Sequence, residues 1–488
     1  MYLCNGIIRS PLDSKGGLLI HFLRGPIPPF ASVKLGYVRT WMLFCLPLVV
    51  SAQSVQFQEF AAIAGPLVLR YPAPISFSAL ASKQVAPIRI RTSPDAQSWS
   101  NWRALTPDPE NPTASSLLWF GSGQRWIELE SLSGEPYPLQ LALIDPGVSL
   151  PAKSSARKAD DTRPRVVSRI EWGCPDGDKQ RGNNPSYAPV SHLIVHHTAD
   201  GPISDYPAWI RAIWAFHVNS NGWADIGYNF LVAPDGTIFE GRAGGDNVIG
   251  AHFSCQNTGT LGVSLLGNFM RQPPTPEAFF SLEQVLRWQA ARIGLNPLGE
   301  GLHAGSRLTL PRISSHRDGN SSPTTCTRTD CPGDVLYSQL PLLRWNVADW
   351  QSTGLWHKTT RRSLSAPEAF WFGDEATGTY DTPGQRSTGE LVSPAFDLRA
   401  DAVLRFATWH ETENPTTDWD QKWVDYRLDG GEWRPLRQLD GIYREWVGQQ
   451  IPLPYRGRLQ LRFRFDTRDA AFNAFEGWYL DDIQVTPN

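Results

Sequence analysis

The 488-residue sequence has little net charge and no long apolar run. Its 45 basic and 48 acidic residues give a formal net charge of −3, which offers no basis for binding nucleic acid or an anionic membrane surface. No stretch approaches the roughly 20 consecutive apolar residues of a membrane-spanning helix, so we predict no stable membrane insertion. The sequence also lacks an EF-hand loop and a convincing internal repeat.

A short apolar run from Trp41 to Val50 follows two basic residues, Lys34 and Arg39, and precedes small residues. This order is typical of a secretory signal peptide. We therefore predict residues 1–52 as a signal peptide, with the true translation start near Val38, and a secreted or periplasmic protein. An uncleaved anchor is the alternative.

The length suits about three domains. Short alternating apolar runs, separated by Pro, Gly and Ser, occupy residues 53–148 and predict a β-sandwich. Residues 149–165 have no apolar period and predict a flexible linker. Residues 355–488 again alternate and predict a jelly-roll β-sandwich that serves in adhesion or positioning. Carboxylates there could hold a structural calcium ion, with Asp418, Asp420, Asp481 and Asp482 as candidates.

The central region, residues 166–350, combines strand and helix patterns. Apolar periodicity predicts helices over Asp205–Ser220, Pro276–Ile293 and Asp334–Trp350, and Pro234-Asp235-Gly236 predicts a hairpin turn. We therefore predict a multidomain protein, in which a central α/β domain with a mixed β-sheet and flanking helices lies between two all-β sandwich domains.

Three segments of the central region carry candidate metal ligands. The apolar strand His192–His197 ends in two histidines, and later segments supply His316 and Cys331. Two imidazoles and one thiolate make a three-ligand zinc site with one position left for water, which is the catalytic pattern. Only one of His196 and His197 can easily serve, because adjacent strand residues face opposite sides.

Several motifs occur together in this region: HLIVHHTA from His192, GWADIGYNFLVAPDGTIFEGR from Gly222, GAH from Gly250, NTGTLGVSLLGNF from Asn257, SHRD from Ser315 and TDCPGD from Thr329. In this order they resemble the zinc N-acetylmuramoyl-L-alanine amidase family, which includes phage T7-type amidases and peptidoglycan recognition proteins. The resemblance covers about Val167 to Trp350. Several motifs in the right order are far more specific than any one alone.

The resemblance implies a role for each matched residue. It places the zinc ligands at His196, His316 and Cys331. Tyr228 matches a tyrosine beside the metal that can hydrogen-bond the water or the developing oxyanion. Thr329 matches a position that contacts the tetrahedral intermediate. Three further residues are expected to line the substrate groove: His252, Arg242 and Asn257.

Some assignments keep an alternative. The segment from Gly319 to Arg328 contains an insertion relative to the family, and Cys326 lies within it. The Cys-Pro-Gly-Asp context favours Cys331 as the ligand, but a Cys326–Cys331 bridge would leave only two histidines. His217 lies on an apolar helix face and is interpreted as a core histidine. Asp318 could orient an imidazole or simply pair with Arg317.

Export permits disulfides, and removal of the signal peptide would also remove Cys4 and Cys45. Four cysteines would remain: Cys174, Cys255, Cys326 and Cys331. With Cys331 on the metal, the simplest count is one disulfide and one free thiol, whose pairing the sequence does not reveal.

We therefore predict a secreted, monomeric zinc amidase that hydrolyses the bond between N-acetylmuramic acid and L-alanine in peptidoglycan. The resemblance implies that members that only bind peptidoglycan lack the cysteine ligand, so Cys331 favours an enzyme. A non-catalytic peptidoglycan-binding protein is the alternative. A zinc hydrolase for another amide is a third, since fold and metal do not define the substrate.

Overall fold

A computed structural model describes residues 53–487 except 64–67, 109, 134, 150–162, 183, 202–203, 365–367, 399 and 414–415. The signal peptide and most of the linker expected from the sequence lie outside the described residues. The described residues belong to one compact unit, Val50–Asn488. Among them, no helix combines the length and apolar content needed to cross a membrane.

The N-terminal domain is a single antiparallel sheet. Its strands are β1 (Ser54–Ile63), β2 (Leu69–Ser82), β3 (Ile88–Ser93), β4 (Arg103–Ala104), β5 (Leu118–Ser131) and β6 (Tyr137–Asp145). They are hydrogen-bonded in the order β1-β6-β2-β5-β3-β4. The sequence predicts a sandwich of two sheets, whereas here one sheet surrounds one core, which Phe60 of β1 and Ile90 of β3 share. Register shifts between the long strands β2 and β5 permit this curvature.

The central domain has the mixed sheet expected from its alternating strand and helix patterns. Its strands are β7 (Val166–Val167), β8 (His192–His197), β9 (Phe230–Val232), β10 (Ile238–Glu240), β11 (Thr260–Leu265), β12 (Glu300–His303), β13 (Leu308–Pro311) and β14 (Ile313–Ser315). The main sheet has the order β14-β8-β11-β9-β10-β7, and β12 pairs with β13 separately. Strand β8 is parallel to both β11 and β14, while β9 and β10 form an antiparallel hairpin.

Three helices pack around this sheet: α1 (Tyr206–Ala215), which continues as a π-helical turn over Phe216–Ser220, α2 (Pro276–Ile293) and α3 (Asp334–Val347). The side chain of Asp205 caps α1 by accepting a hydrogen bond from the backbone N of Ala208. Helix α3 ends three residues before the predicted Trp350, because Ala348 adopts an extended conformation.

The C-terminal domain consists of two sheets. Its strands are β15 (Gln351–Ser352), β16 (Trp356–Thr359), β17 (Ala369–Phe372), β18 (Thr388–Val392), β19 (Phe396–Leu398), β20 (Ala402–Glu411), β21 (Gln421–Leu428), β22 (Arg434–Leu439), β23 (Tyr443–Leu453), β24 (Gly457–Asp466) and β25 (Gly477–Pro487). One sheet has the order β15-β18-β24-β21-β22, with β19 also on β24, and the other is β16-β17-β25-β20-β23. Phe463 of the first and Trp478 of the second share one core, which is a sandwich arrangement. Calcium binding here stays a prediction.

The N-terminal domain is docked on the central domain through polar and apolar contacts. Arg103 pairs with Asp200 at 3.1 Å, and the backbone N of Trp119 donates to the other Asp200 oxygen at 3.0 Å. The indole of Trp119 packs edge-on against that of Trp209, with ring centroids 5.1 Å apart. Asn111 also donates a hydrogen bond to Asn221 at 3.2 Å. The two domains therefore share a specific interface.

Gly333, which follows the Cys331-Pro332 pair and precedes α3, provides a test of this fold. Its φ is +93° and its ψ is 152°, a backbone region that is essentially restricted to glycine. An added Cβ would also lie 2.4 Å from the carbonyl carbon of Phe269. We expect Gly333→Ala to lower the free energy of unfolding by about 3 kcal/mol, measured by urea denaturation.

Gly384→Ala is the matched control, because Gly384 has a φ of +70° but no atom within 4 Å of the added Cβ. We expect it to cost about 1 kcal/mol, from the backbone conformation alone. Equal losses in the two variants would show that the packing around Gly333 is not as described.

Candidate metal centre

Three side chains from separate segments meet at the C-terminal end of β8. His196 belongs to β8 itself, and His316 directly follows β14, in which Ser315 is paired with Val195 of β8. Cys331 lies in the turn before α3. The ligand atoms of His196, His316 and Cys331 all lie within 4.8 Å of one another, and Cys331 Sγ is 3.7 Å from His196 Nδ1. The structure thus brings together the three ligands expected from the sequence.

All three side chains are buried, with exposures of 1% for His196, 3% for His316 and 5% for Cys331. Burial lowers the pKa of His316 to about 3 and that of His196 well below its usual range, so both imidazoles are neutral and keep a lone pair for a metal. Burial also raises the pKa of the Cys331 thiol well above its usual range. A divalent cation among these atoms would stabilise the thiolate.

The donor set fits zinc. Two imidazole nitrogens and one sulfur are typical zinc ligands, at bond lengths of roughly 2.0 and 2.3 Å. In a tetrahedral site these bonds place the nitrogen and sulfur about 3.5 Å apart. The observed separation of 3.7 Å between His196 Nδ1 and Cys331 Sγ is close to that value.

His252 contacts the ring nitrogen of His196 that does not face Cys331. Its Nδ1 lies 3.0 Å from His196 Nε2, and its own Nε2 lies 3.4 Å from Thr260 Oγ1. Asn257 holds the same turn, since its side-chain oxygen accepts hydrogen bonds from the backbone N of His252 and Phe253. The sequence placed His252 and Asn257 in the substrate groove. His252 is 0% exposed in this structure, where it contacts His196, and a groove contact by His252 or Asn257 stays a prediction.

The other two histidines near the site face away from the metal ligands. His197 points to the opposite side of β8, where its Nδ1 accepts from the backbone N of Phe269 at 3.2 Å. Its own backbone N donates to Cys331 Sγ at 3.3 Å. His217 is buried, accepts a hydrogen bond from the backbone N of Gly227 and stacks on Trp223, as a core histidine does.

Tyr228 lies beside the metal ligands, with its ring centroid 5.3 Å from that of His196. Burial, and after it the proximity of Cys331 and Glu110, raises the pKa of the phenol well above its usual range, so it is a neutral hydrogen-bond donor. Arg242 supports this segment: its backbone N donates to the Tyr228 carbonyl at 2.8 Å and its Nη1 to the Ile226 carbonyl at 3.2 Å. A groove contact by Arg242 stays a prediction.

Thr329 and Asp318 shape the turns that carry two of the ligands. The Thr329 hydroxyl accepts from the backbone N of Cys331 at 3.0 Å, and its expected contact with a reaction intermediate stays a prediction. Asp318 accepts from both the backbone N and the hydroxyl of Ser315. Arg317 pairs instead with Asp334 at 2.8 Å. Asp318 therefore caps the turn at His316, which neither sequence interpretation anticipated.

The cysteine pairing leaves the proposed ligand free. A disulfide joins Cys255 to Cys326, and Cys174 and Cys331 are the free cysteines of the described chain. This matches the predicted count of one disulfide and one free thiol. The alternative bridge between Cys326 and Cys331 is excluded by the pairing with Cys255.

One residue of the site comes from outside the central domain and was not anticipated. Glu110, in the loop between β4 and β5, has its Oε1 3.1 Å from His316 Nε2, while its Oε2 accepts from the backbone N of Ser254 at 2.9 Å. Burial raises the pKa of its carboxyl to about 8. The surrounding sequence, with three prolines in residues 106–113, is typical of an ordinary turn, so no local signal could have identified Glu110.

Comparisons with known proteins match the region of the chain that contains this site. A family model described as N-acetylmuramoyl-L-alanine amidase matches residues 186–334. Peptidoglycan-recognition protein SC2 of Drosophila simulans is 33% identical over 178 residues, which are 36% of this chain and 84% of that protein. The N-acetylmuramoyl-L-alanine amidase of Sus scrofa is 32% identical over 193 residues, covering 38% of this chain but only 28% of that protein.

A solved structure of peptidoglycan recognition protein LE in complex with tracheal cytotoxin is 28% identical and covers 36% of this chain and 91% of its own, with a TM-score of 0.29. The sequence relatives define a class of proteins with an amidase-type domain. The chain belongs to the family of N-acetylmuramoyl-L-alanine amidases and peptidoglycan recognition proteins.

Metal content tests the centre directly. We expect the purified protein to bind one zinc ion per chain, measured by elemental mass spectrometry after dialysis. Cys331→Ser should lose most of this zinc in a chelator of moderate affinity, because a hydroxyl is a much poorer zinc ligand than a thiolate. Cys174→Ser is the control, since Cys174 is also a buried free thiol but lies beside Arg169 rather than the histidines. Equal zinc loss in both variants would contradict the assigned ligand.

Proposed function

We propose that the protein is a zinc-dependent N-acetylmuramoyl-L-alanine amidase that hydrolyses the amide between N-acetylmuramic acid and L-alanine in peptidoglycan. The observation that carries the proposal is the convergence of His196, His316 and Cys331 in one buried group beside Tyr228. A zinc ion held there would act as a Lewis acid and would lower the pKa of water.

The contacts around His196 indicate which ring nitrogen of His196 and of His252 carries the proton. Since His196 Nδ1 faces the Cys331 sulfur, its Nε2 keeps the proton and donates to Nδ1 of His252. Nε2 of His252 then carries the second proton and donates to the hydroxyl of Thr260. This chain of contacts orients His196 so that its lone pair points towards the other two ligands.

Tyr228 is the candidate catalytic residue of the protein itself. A neutral phenol near the metal ligands can donate a hydrogen bond to the oxygen that gains negative charge as water attacks an amide carbonyl. Its elevated pKa means that the phenol retains its proton across the neutral pH range. We propose that Tyr228 stabilises the developing oxyanion as a hydrogen-bond donor.

The relatives support the choice of substrate. The family model and the relative from Sus scrofa carry the name of this amidase, and the solved relative LE binds tracheal cytotoxin, a monomeric diaminopimelic acid-type peptidoglycan. We therefore propose muropeptides as the substrate class. The segment Trp41–Val50 supports our further proposal that the protein is secreted or periplasmic, since peptidoglycan lies outside the cytoplasm. We also propose that it acts as a monomer.

A non-catalytic peptidoglycan-binding protein is the second candidate, because relatives named as recognition proteins share the same domain. The cysteine of the metal group favours the enzyme over this candidate. The two differ in one measurable respect: a binder would retain sacculi without releasing peptide.

Digestion of a defined muropeptide tests the proposed activity. We expect release of the stem peptide, detected by mass spectrometry, and its loss on addition of a chelator. Tyr228→Phe should lower kcat roughly 100-fold with zinc content unchanged, because one hydrogen bond to the developing oxyanion is lost. Tyr187→Phe is the control, since Tyr187 is a 54% exposed tyrosine of the same domain. Binding of sacculi without chelator-sensitive release would favour the binding protein.

A further inference from the structure

We propose that Glu110, inserted by the N-terminal β domain beside the metal centre, is a positioning residue that orients His316 for zinc binding. The inference rests on the zinc site of the proposed function. It assigns to the N-terminal domain a direct part in building that site.

The loop between β4 and β5 presents Glu110 in a defined orientation. Asp108 is buried within this loop, and its carboxylate accepts hydrogen bonds from the backbone N of Glu110 and of Asn111, both at 2.9 Å. Asn111 in turn donates to Asn221 of the central domain. The loop is thus held internally and also tied to the central domain on one side of the metal ligands.

The Glu110 carboxyl group contacts two segments of the central domain. Its Oε2 accepts from the backbone N of Ser254, next to the Cys255–Cys326 disulfide. Its Oε1 lies 3.1 Å from Nε2 of His316 without hydrogen-bond geometry in this structure, and neither atom has a hydrogen-bond partner among the described residues. Buried polar atoms are rarely left unpaired, so their approach indicates a specific contact.

The chemistry of metal-bound histidine explains this contact. A ligating imidazole usually donates its second ring N–H to a carboxylate or another acceptor, which orients the ring and raises its basicity. His196 follows this rule, with Nδ1 towards Cys331 and Nε2 towards His252. By the same rule, our proposal assigns Nδ1 of His316 as the zinc ligand and its Nε2–H as the donor to Glu110.

Each histidine ligand is therefore supported by a second residue. The two supporting residues belong to different domains. His252 belongs to the same domain as His196, whereas Glu110 reaches His316 across the domain interface. The docking contacts of Arg103 with Asp200 and of Trp119 with Trp209 hold the loop in place. The central domain alone would consequently bind zinc more weakly than the full chain.

Zinc affinity of the full chain, measured by competition with a chromophoric chelator, tests the proposal. We expect Glu110→Ala to weaken zinc binding by roughly 10- to 100-fold, the usual effect of losing such a partner. Glu110→Gln should fall between wild type and Glu110→Ala, because an amide oxygen can still accept from His316. Glu135→Gln, at an exposed glutamate of the same domain, should bind zinc like wild type.

A second readout separates positioning from general stability. Cobalt substituted into wild type and Glu110→Ala should give different visible absorption spectra, because the orientation of a ligand changes, while thermal unfolding of the metal-free proteins should agree. Wild-type zinc affinity in Glu110→Ala would overturn the proposal. Higher amidase activity in Glu110→Ala with unchanged zinc affinity would also overturn the proposal, because it would indicate that the loop blocks access to the site.

Failure of this proposal can be distinguished from failure of the proposed function. A wild-type protein that binds zinc but releases no peptide would remove the amidase and leave the role of Glu110 intact. An active wild-type enzyme whose Glu110→Ala variant keeps full zinc affinity would remove only the role of Glu110.

Discussion

The parallel pairing of β8 with β14 is the contact on which the metal centre depends. Its register sets Ser315 opposite Val195, so the next residues, His316 after β14 and His196 within β8, lie side by side with ring centroids 5.0 Å apart. A slip of one residue would turn one imidazole to the opposite face. Cys331 lies outside the sheet and is held by hydrogen bonds, from the backbone N of His197 to its sulfur and from that of Arg317 to its carbonyl.

Features that depend on neighbouring residues could be predicted from the sequence. The cap at Asp205, the bounds of α2 and the hairpin at Pro234-Asp235-Gly236 all follow from local chemistry, and the structure has each of them. The three ligands could be named because each follows or precedes a recognisable strand or turn. The disulfide could not be assigned, because Cys255 and Cys326 are separated by 71 residues and meet only in the folded chain.

The features that could not be predicted depend on how segments distant in the sequence pack against one another. Alternating apolar residues show which face of a strand is buried, but not whether the strands form two sheets or, as in the N-terminal domain, one curved sheet. The position of His252 behind His196 and of Glu110 beside His316 likewise requires the packing of distant segments. Both residues contact a candidate metal ligand, and these contacts arise only in the folded chain.

The strand that carries His196 also leads into the domain interface. Asp200 follows His197 by three residues, and its buried carboxylate accepts from Arg103 and from the backbone N of Trp119. Desolvation raises the pKa of this carboxyl, and the nearby guanidinium of Arg103 opposes that shift, so the ion pair stabilises the charged form in a buried place. Docking of the β domain therefore constrains the end of β8 from one side, while Glu110 constrains His316 from the other. We therefore infer that the candidate metal centre, whose three ligands lie in the central domain, also depends on the contact with the N-terminal domain.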